Sequence, residues 1–450
     1  MITIIFSVVC IACCLAIIIS MGRINYFNPI IFLLIFSIAD VYFPAIYWSL
    51  YGQVNNPDWL NLLDLNSVQY AIAFYAIFYA ILFCTYISID KSGRPKTTEN
   101  IQTSEVLSKL SIIIWVLFIL SFAQVGFAIM KYGGIEPWIE SKVILVFGRQ
   151  SLAEDGFATE LRMLEVLPLR DIFQSMVGLG FFYRKKFKSK RLFEFVFPAL
   201  AIFLALATFL RGSVLACVLT LIFAEIMRRQ SESHDTRTIF LSTKGLRFIL
   251  VILIATLSSL FLYGAVRDSY RSDVFDAGSD AKSLTIPTFF AAGYGLLGLS
   301  HITLNYGRTV DYLYGKTYFD MIMLPVPRFI YTSKPDWYGI DDITRGMGWP
   351  ESTQSAVTMP GEAFANFGLL GLIMAFPLGC AFGWLHKMAR RNFIRYVLLG
   401  PSIFFQLTSV ANWMSFTGIM NSAQIIFILF ILSNFINKSP KYNPSIRVIV

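Results

Sequence analysis

Charge is scarce in this chain: of 450 residues only 14% are Asp, Glu, Lys or Arg, while 56% are apolar. Soluble domains carry about 25% charged residues, so a string of ordinary soluble domains is excluded. Disorder is excluded with it, because disordered chains are charge-rich and aromatic-poor, whereas 16% of these residues are aromatic. The net charge of +9 does not point to nucleic acid, which calls for Lys and Arg at higher density on one exposed face. Histidine is rarer still, at three residues. The six cysteines, Cys10, Cys13, Cys14, Cys84, Cys217 and Cys380, lie inside apolar runs, with no His or second Cys pair to complete a zinc site. No disulfide framework and no structural metal follow. The phosphate-binding P-loop, the HExxH zinc helix and the GxSxG nucleophile elbow are all missing.

What the chain does have is long apolar runs. A membrane-spanning helix needs about 20 mostly apolar residues. Runs that qualify lie near 3–20, 29–49, 67–89, 110–130, 164–183, 193–210, 213–227, 248–266, 363–385, 396–412 and 419–436. The expectation is an all-α polytopic membrane protein with about 11 transmembrane helices. The first run has no basic residues ahead of it and no small-residue cleavage site, so it reads as an anchor.

Lys and Arg collect in alternate connections, Lys91 to Lys109, Arg184 to Arg191, Arg228 to Arg247 and Lys387 to Arg395, which the positive-inside rule assigns to the cytoplasm. The N-terminus is then outside and the C-terminus inside. Sorted this way, the inner parts hold 23 Lys/Arg against 7 Asp/Glu, and the outer parts 14 against 20. The basic excess is therefore topology, and arginines left outside need another reason to be there. Three regions result: spans one to eight over 1–266 with an outer loop at 131–163, a large outer loop at 267–362, and spans nine to eleven with a tail over 363–450. The uncharged stretch 283–307 reads as an amphipathic or partly embedded helix against the outer face.

Candidate chemistry lies on that outer side. Arg211, in Leu210-Arg211-Gly212-Ser213, caps a tight hairpin between spans six and seven, where a planar guanidinium can grip phosphate oxygens. Arg267, Asp268 and Arg271 cluster where span eight emerges, and Arg170-Asp171 is expected about two turns into span five. Asp40, inside span two, is expected buried and protonated or paired with an arginine. Prolines flank Arg328 and Lys334 in Pro327 to Pro335 and stiffen their loop. Gly361 to Gly371 opens span nine, with Glu362 and Asn366 four apart on one helical face. Gly368 and Gly371 are expected to serve close packing. His301 falls in the outer loop; His234 and His386 are expected to be solvated on the inner side.

In order along the chain, Arg211-Gly212, a large outer loop with PRxIxxxKP (Pro327 to Pro335), and GExFxNFGxxG (Gly361 to Gly371) resemble the Wzy-type polymerases of O-antigen and related oligosaccharide repeat units. The likeness covers roughly 193–385. It implies a GT-C-like fold with a large helical periplasmic loop, in a bacterial inner (cytoplasmic) membrane. The implied enzyme is a metal-independent glycosyltransferase without a cofactor, joining undecaprenyl-diphosphate-linked repeat units at the periplasmic face. It implies Arg211 and Arg328 as diphosphate ligands, supported by Lys334, Arg267, Arg271 and Arg170. Glu362 is then the base, His301 the reserve, and Asn366 a substrate-side residue. Membrane lipid, a chain-length regulator and a flippase would be its partners, and nucleic acid would not. An O-antigen ligase or a lipid-linked oligosaccharide flippase are the alternatives.

Overall fold

The computed structural model describes residues 2–22, 33–34, 37–51, 65–89, 103–131, 133–135, 137–138, 168–206, 211–232, 294–323, 326, 330–331, 343, 357–392, 394–401 and 416–437. Helix predominates among them and no strand is present. Twelve helices organise these residues. They are α1 (Ile2–Gly22), α2 (Phe43–Tyr51), α3 (Leu65–Ile89), α4 (Thr103–Lys131), α5 (Leu169–Phe182) and α6 (Phe197–Leu206). Next come α7 (Arg211–Glu232), α8 (Tyr294–Asn305), α9 (Lys316–Ile322), α10 (Met359–Phe367), α11 (Ala375–Arg390) and α12 (Phe416–Asn437).

Among the described residues three stretches are long and apolar enough to cross a membrane: Asn66–Ile89, Glu105–Lys131 and Met359–Arg390. Their burial differs in an informative way. Half of the most apolar window of Asn66–Ile89 is buried, but only 17% of that of Glu105–Lys131. The rim helix α4 instead turns Ile112, Trp115, Val116, Ile119 and Leu120 outward. An apolar face of that extent is stable in lipid and not in water. The protein is a helical membrane protein.

Small residues set the closest packing. A Cβ on Gly379 would stand 2.6 Å from the Leu82 carbonyl oxygen, and one on Gly383 3.0 Å from that of Tyr86. The GxxxG spacing thus lets α11 lie against the backbone of α3, the dispersion-driven contact that lipid-embedded helices favour. Gly178 and Gly180 do the same for α5, against Thr220 of α7 and Ile114 of α4.

Two helices begin with π turns, at Ile38–Tyr42 and Leu192–Val196. Each is followed by Phe-Pro. Pro44 has no N–H for the carbonyl of Asp40, and Pro198 none for that of Glu194. The chain widens instead, with the N–H groups of Phe43 and Phe197 reaching back five residues to Ile38 and Leu192.

Side-chain contacts sort the helix ends. At one end Tyr86 meets His386, His386 meets Tyr396, Tyr396 meets Phe223, Arg395 bonds Asn434, and Lys109 lies over Phe435. At the other end Tyr70, Phe74 and Tyr312 surround Phe364. His386, expected to be solvated, is buried instead, sharing a 2.6 Å hydrogen bond between Nδ1 and the Tyr86 hydroxyl.

Of the helix expected as amphipathic or partly embedded over 283–307, the described part is α8, while 283–293 lie outside the described residues. Residues 295–303 are all buried, because α8 is wedged between α3, α10 and the Ile38–Tyr42 turn.

Candidate functional site

The motif helix α10 is fixed by its own sequence. Thr358 caps it, its Oγ1 accepting the Gly361 N–H at 3.2 Å, and Pro360 occupies the first turn, where a missing donor costs little. Glu362 lies in that turn and is fully buried, as is Asn366 one turn on. Asn366 is saturated with bonds. Its Oδ1 accepts the Gly315 N–H at 3.0 Å, and its Nδ2 donates to Thr317 Oγ1 at 2.7 Å and to the Glu362 carbonyl at 2.8 Å. Leu313 and Tyr314 add backbone bonds to the Ala365 and Asn366 carbonyls. Segment 313–317 is thereby fastened along α10.

From there α9 carries two further groups to the site. The Tyr318 ring stacks on Phe367 with centroids 5.8 Å apart, and its phenol lies beside Glu362. Burial, with the Glu362 carboxylate beside it, pushes that phenol well above its usual range, so it stays a hydrogen-bond donor. Asp320 is 2% exposed, and its Oδ1 accepts from the Tyr331 hydroxyl at 3.0 Å. Its Oδ2 has no hydrogen-bond partner among the described residues. Tyr331 belongs to the proline-flanked motif, three residues from both Arg328 and Lys334. The two motifs are therefore joined through Asn366, Thr317, Asp320 and Tyr331.

Helix α8 backs this assembly. A Cβ on Gly361 would stand 2.9 Å from Ile302 Cδ1 and 3.7 Å from Leu299 Cδ1, so that glycine sets the α8–α10 approach. His301, 2% exposed, lies on α8, and burial pushes its imidazole down to about 4. Near neutral pH it is therefore uncharged.

Gly368 ends α10 at φ 59° and ψ −135°, a backbone region kept for glycine. It is a break, followed by a 3-10 segment Gly368–Met374, and both glycines pack closely as expected, Gly368 against the Tyr312 ring and Gly371 against the Ala363 carbonyl.

The remaining sequence candidates fall elsewhere. Arg211 is the first residue of α7, in line with a short connection after α6. Arg170 lies in the first turn of α5 and not two turns in, since the described helix starts at Leu169 after Pro168. Its guanidinium is engaged by Asp171, with Nε to Oδ1 at 2.9 Å and Nη2 to Oδ2 at 3.2 Å. Arg267, Arg271, Arg328 and Lys334 lie outside the described residues, as do the run 248–266 and most of 131–163. Asp40 meets the backbone N–H of Gly295 rather than an arginine.

Sequence reasoning missed Thr317, Tyr318 and Asp320, whose Lys-Thr-Tyr-Phe-Asp stretch carries no signal beyond its place between the motifs. It also missed a buried ionic cluster at the opposite end. Glu225 accepts from Arg184 Nη2 at 2.7 Å, Arg228 Nη2 at 2.8 Å and Arg229 Nε at 2.6 Å. Comparison with known proteins finds no matching family model, no matching curated protein and no matching solved structure. The chemistry of the site therefore rests on its described residues: a buried carboxylate, a phenol donor, and Tyr331 bonded to Asp320. Among the described residues no group of His, Cys, Asp and Glu could hold a metal ion.

Proposed function

We propose that the chain is a polysaccharide polymerase of the Wzy type, a GT-C-like membrane glycosyltransferase with about eleven spans. It acts at the periplasmic face of a bacterial inner membrane, N-terminus outside and C-terminus inside. The observation that supports this reading is a pair of hydrogen bonds made by α9, Asn366 to Thr317 and Tyr331 to Asp320, which links the helix of Glu362 to Tyr331, a member of the motif that holds Arg328 and Lys334. The orientation is supported by the helix ends: those that the basic residues assign to the cytoplasm touch one another, as in Arg184 with Glu225 and Arg395 with Asn434.

In the proposed reaction an acceptor sugar hydroxyl on the incoming unit attacks C1 of the growing chain. The new C1–O bond forms as the bond from C1 to the lipid diphosphate breaks, and the diphosphate leaves with the electron pair. Glu362 takes the hydroxyl proton. Arg211, Arg328 and Lys334, with Arg267 and Arg271 in support, stabilise the charge growing on the diphosphate. Arg211 is the first residue of α7, where a cation opposes the helix dipole, so its charge calls for a use other than helix stability.

Deletion of the gene followed by sizing of surface lipopolysaccharide tests the proposal. Core capped with a single repeat unit is the expected product. Uncapped core would indicate a ligase and units stranded inside a flippase, while unchanged long chains would remove the reading altogether.

A further inference from the structure

The connection between α5 and α6 carries more positive charge than topology requires. Arg184, Lys185, Lys186, Lys188, Lys190 and Arg191 fall within eight residues, and all but Arg184 are exposed. The turn that presents them is stiff. The Lys186 N–H donates to the Tyr183 carbonyl at 2.8 Å and the Leu192 N–H to that of Ser189 at 3.1 Å. Between them the buried Phe187 ring stacks on Phe193, with centroids 3.7 Å apart. Arg184 turns inward to Glu225, which also takes Arg228 and Arg229 of α7. One carboxylate carries one negative charge, however many hydrogen bonds it accepts, so the three guanidinium groups outweigh it. Glu194, 3.8 Å from Arg184 Nε, offsets only one more. Like charges crowded at a desolvated site are costly until a further anion joins them.

The surroundings say which anion. Phe195 and Val196 follow the turn, and with Phe203 of α6 they are exposed apolar residues, a face that lipid covers and water does not. Phe195 is one helical turn from Arg191, so lipid lying along this face brings its headgroup to the level of the cations. Arg229 is the most accessible of the three guanidinium groups on Glu225. We propose that the 184–191 turn, together with Arg229, binds the phosphate of an anionic phospholipid headgroup. The lysines supply charge, and the guanidinium groups supply directed donors to phosphate oxygens. This site rests on the chain being a membrane protein and not on the polymerase reading.

The full chain in detergent, titrated with phosphatidylglycerol, phosphatidylcholine or inorganic phosphate, tests the proposal. Bound lipid is counted by native mass spectrometry beside the midpoint of thermal unfolding. Phosphatidylglycerol should be retained and should raise the midpoint, and phosphatidylcholine at the same concentration should do neither. Each cation near a membrane surface strengthens such binding about fivefold. Lys188→Gln, Lys190→Gln and Arg191→Gln combined should therefore weaken retention roughly a hundredfold, with the lipid-free midpoint near that of wild type. Arg229→Gln should weaken it about fivefold, and decides the matter should the triple variant fail to fold. Equal retention of the two lipids, or equal retention by wild type and the variants, would overturn the site. So would inorganic phosphate raising the midpoint as far as phosphatidylglycerol does, because the cations would then serve a soluble anion and not a lipid.

Discussion

Asn366 Nδ2 donates to Thr317 Oγ1 at 2.7 Å, a bond spanning 49 residues between two wholly buried side chains. Through it the second polar residue of the Gly361–Gly371 motif holds the segment that leads to the proline-flanked stretch. Asn366→Ala deletes this bond together with those to Gly315 and Glu362. It strands the buried Thr317 hydroxyl, at a cost of about 1–3 kcal/mol, and frees the half-buried Gly315 N–H. We expect a lowered midpoint of thermal unfolding in detergent and loss of long polymer. An Asn366→Ala protein as stable as wild type would show that the bond contributes nothing.

Glu362→Gln preserves shape and removes the proposed base. General-base removal typically costs 10²–10⁴-fold in rate, so the polymer ladder should collapse to single units at normal protein abundance. Tyr318→Phe, which removes the donor beside Glu362, should reduce turnover while leaving protein level unchanged. Wild-type ladders from Glu362→Gln would remove Glu362 from the mechanism.

His301 gives a pH dependence with a definite sign. Its imidazole is held down to about 4 by burial, against about 6.5 when unfolded. Between those values the unfolded chain binds the proton and the folded one does not, so stability falls as pH is lowered from about 6.5 to about 4. The contribution is fully present above that window, and on the order of 3 kcal/mol is lost across it. In His301→Gln that part of the decline should be absent, measured as the difference between the two unfolding midpoints over pH. Parallel curves for both proteins would contradict the assignment.

The apolar runs made much of the helical framework legible. The run 67–89 is α3 at Leu65–Ile89, and 419–436 is α12 at Phe416–Asn437. Helices extend past the apolar limits where polar residues continue the hydrogen-bond ladder, as Thr103 to Lys109 does ahead of 110–130. The face shared by Glu362 and Asn366 follows from helical spacing and is present. Gly368 was not legible as a break, because a glycine that allows close packing and one at positive φ read the same in one sequence. His386 was misjudged because its partner, Tyr86, is 300 residues away. The role of α9 was hidden for the same reason, since Thr317 and Asp320 gain meaning only from Asn366 and Tyr331.

Counting basic residues by expected side concealed an interaction. Arg184, Arg228 and Arg229 all entered that count as cytoplasmic markers, yet they converge on one carboxylate. Glu225 is 3% exposed and Arg184 and Arg228 are 8% exposed, with Arg184 also lying 4.0 Å from the centre of the Phe181 ring. Desolvated charges of one sign need their counter-charge, so removing Glu225 leaves three guanidinium groups crowded together without it. Breaking a buried ion pair from one side costs about 3–5 kcal/mol, and Glu225→Ala should lose stability of that order. Arg229 is the most exposed of the three, with its side chain 25% accessible. Arg229→Ala should therefore cost far less, nearer the roughly 0–1 kcal/mol of a surface pair. Unfolding of both variants in detergent checks the order. Equal losses would mean that the cluster is solvated and that Glu225 is no keystone between α5 and α7.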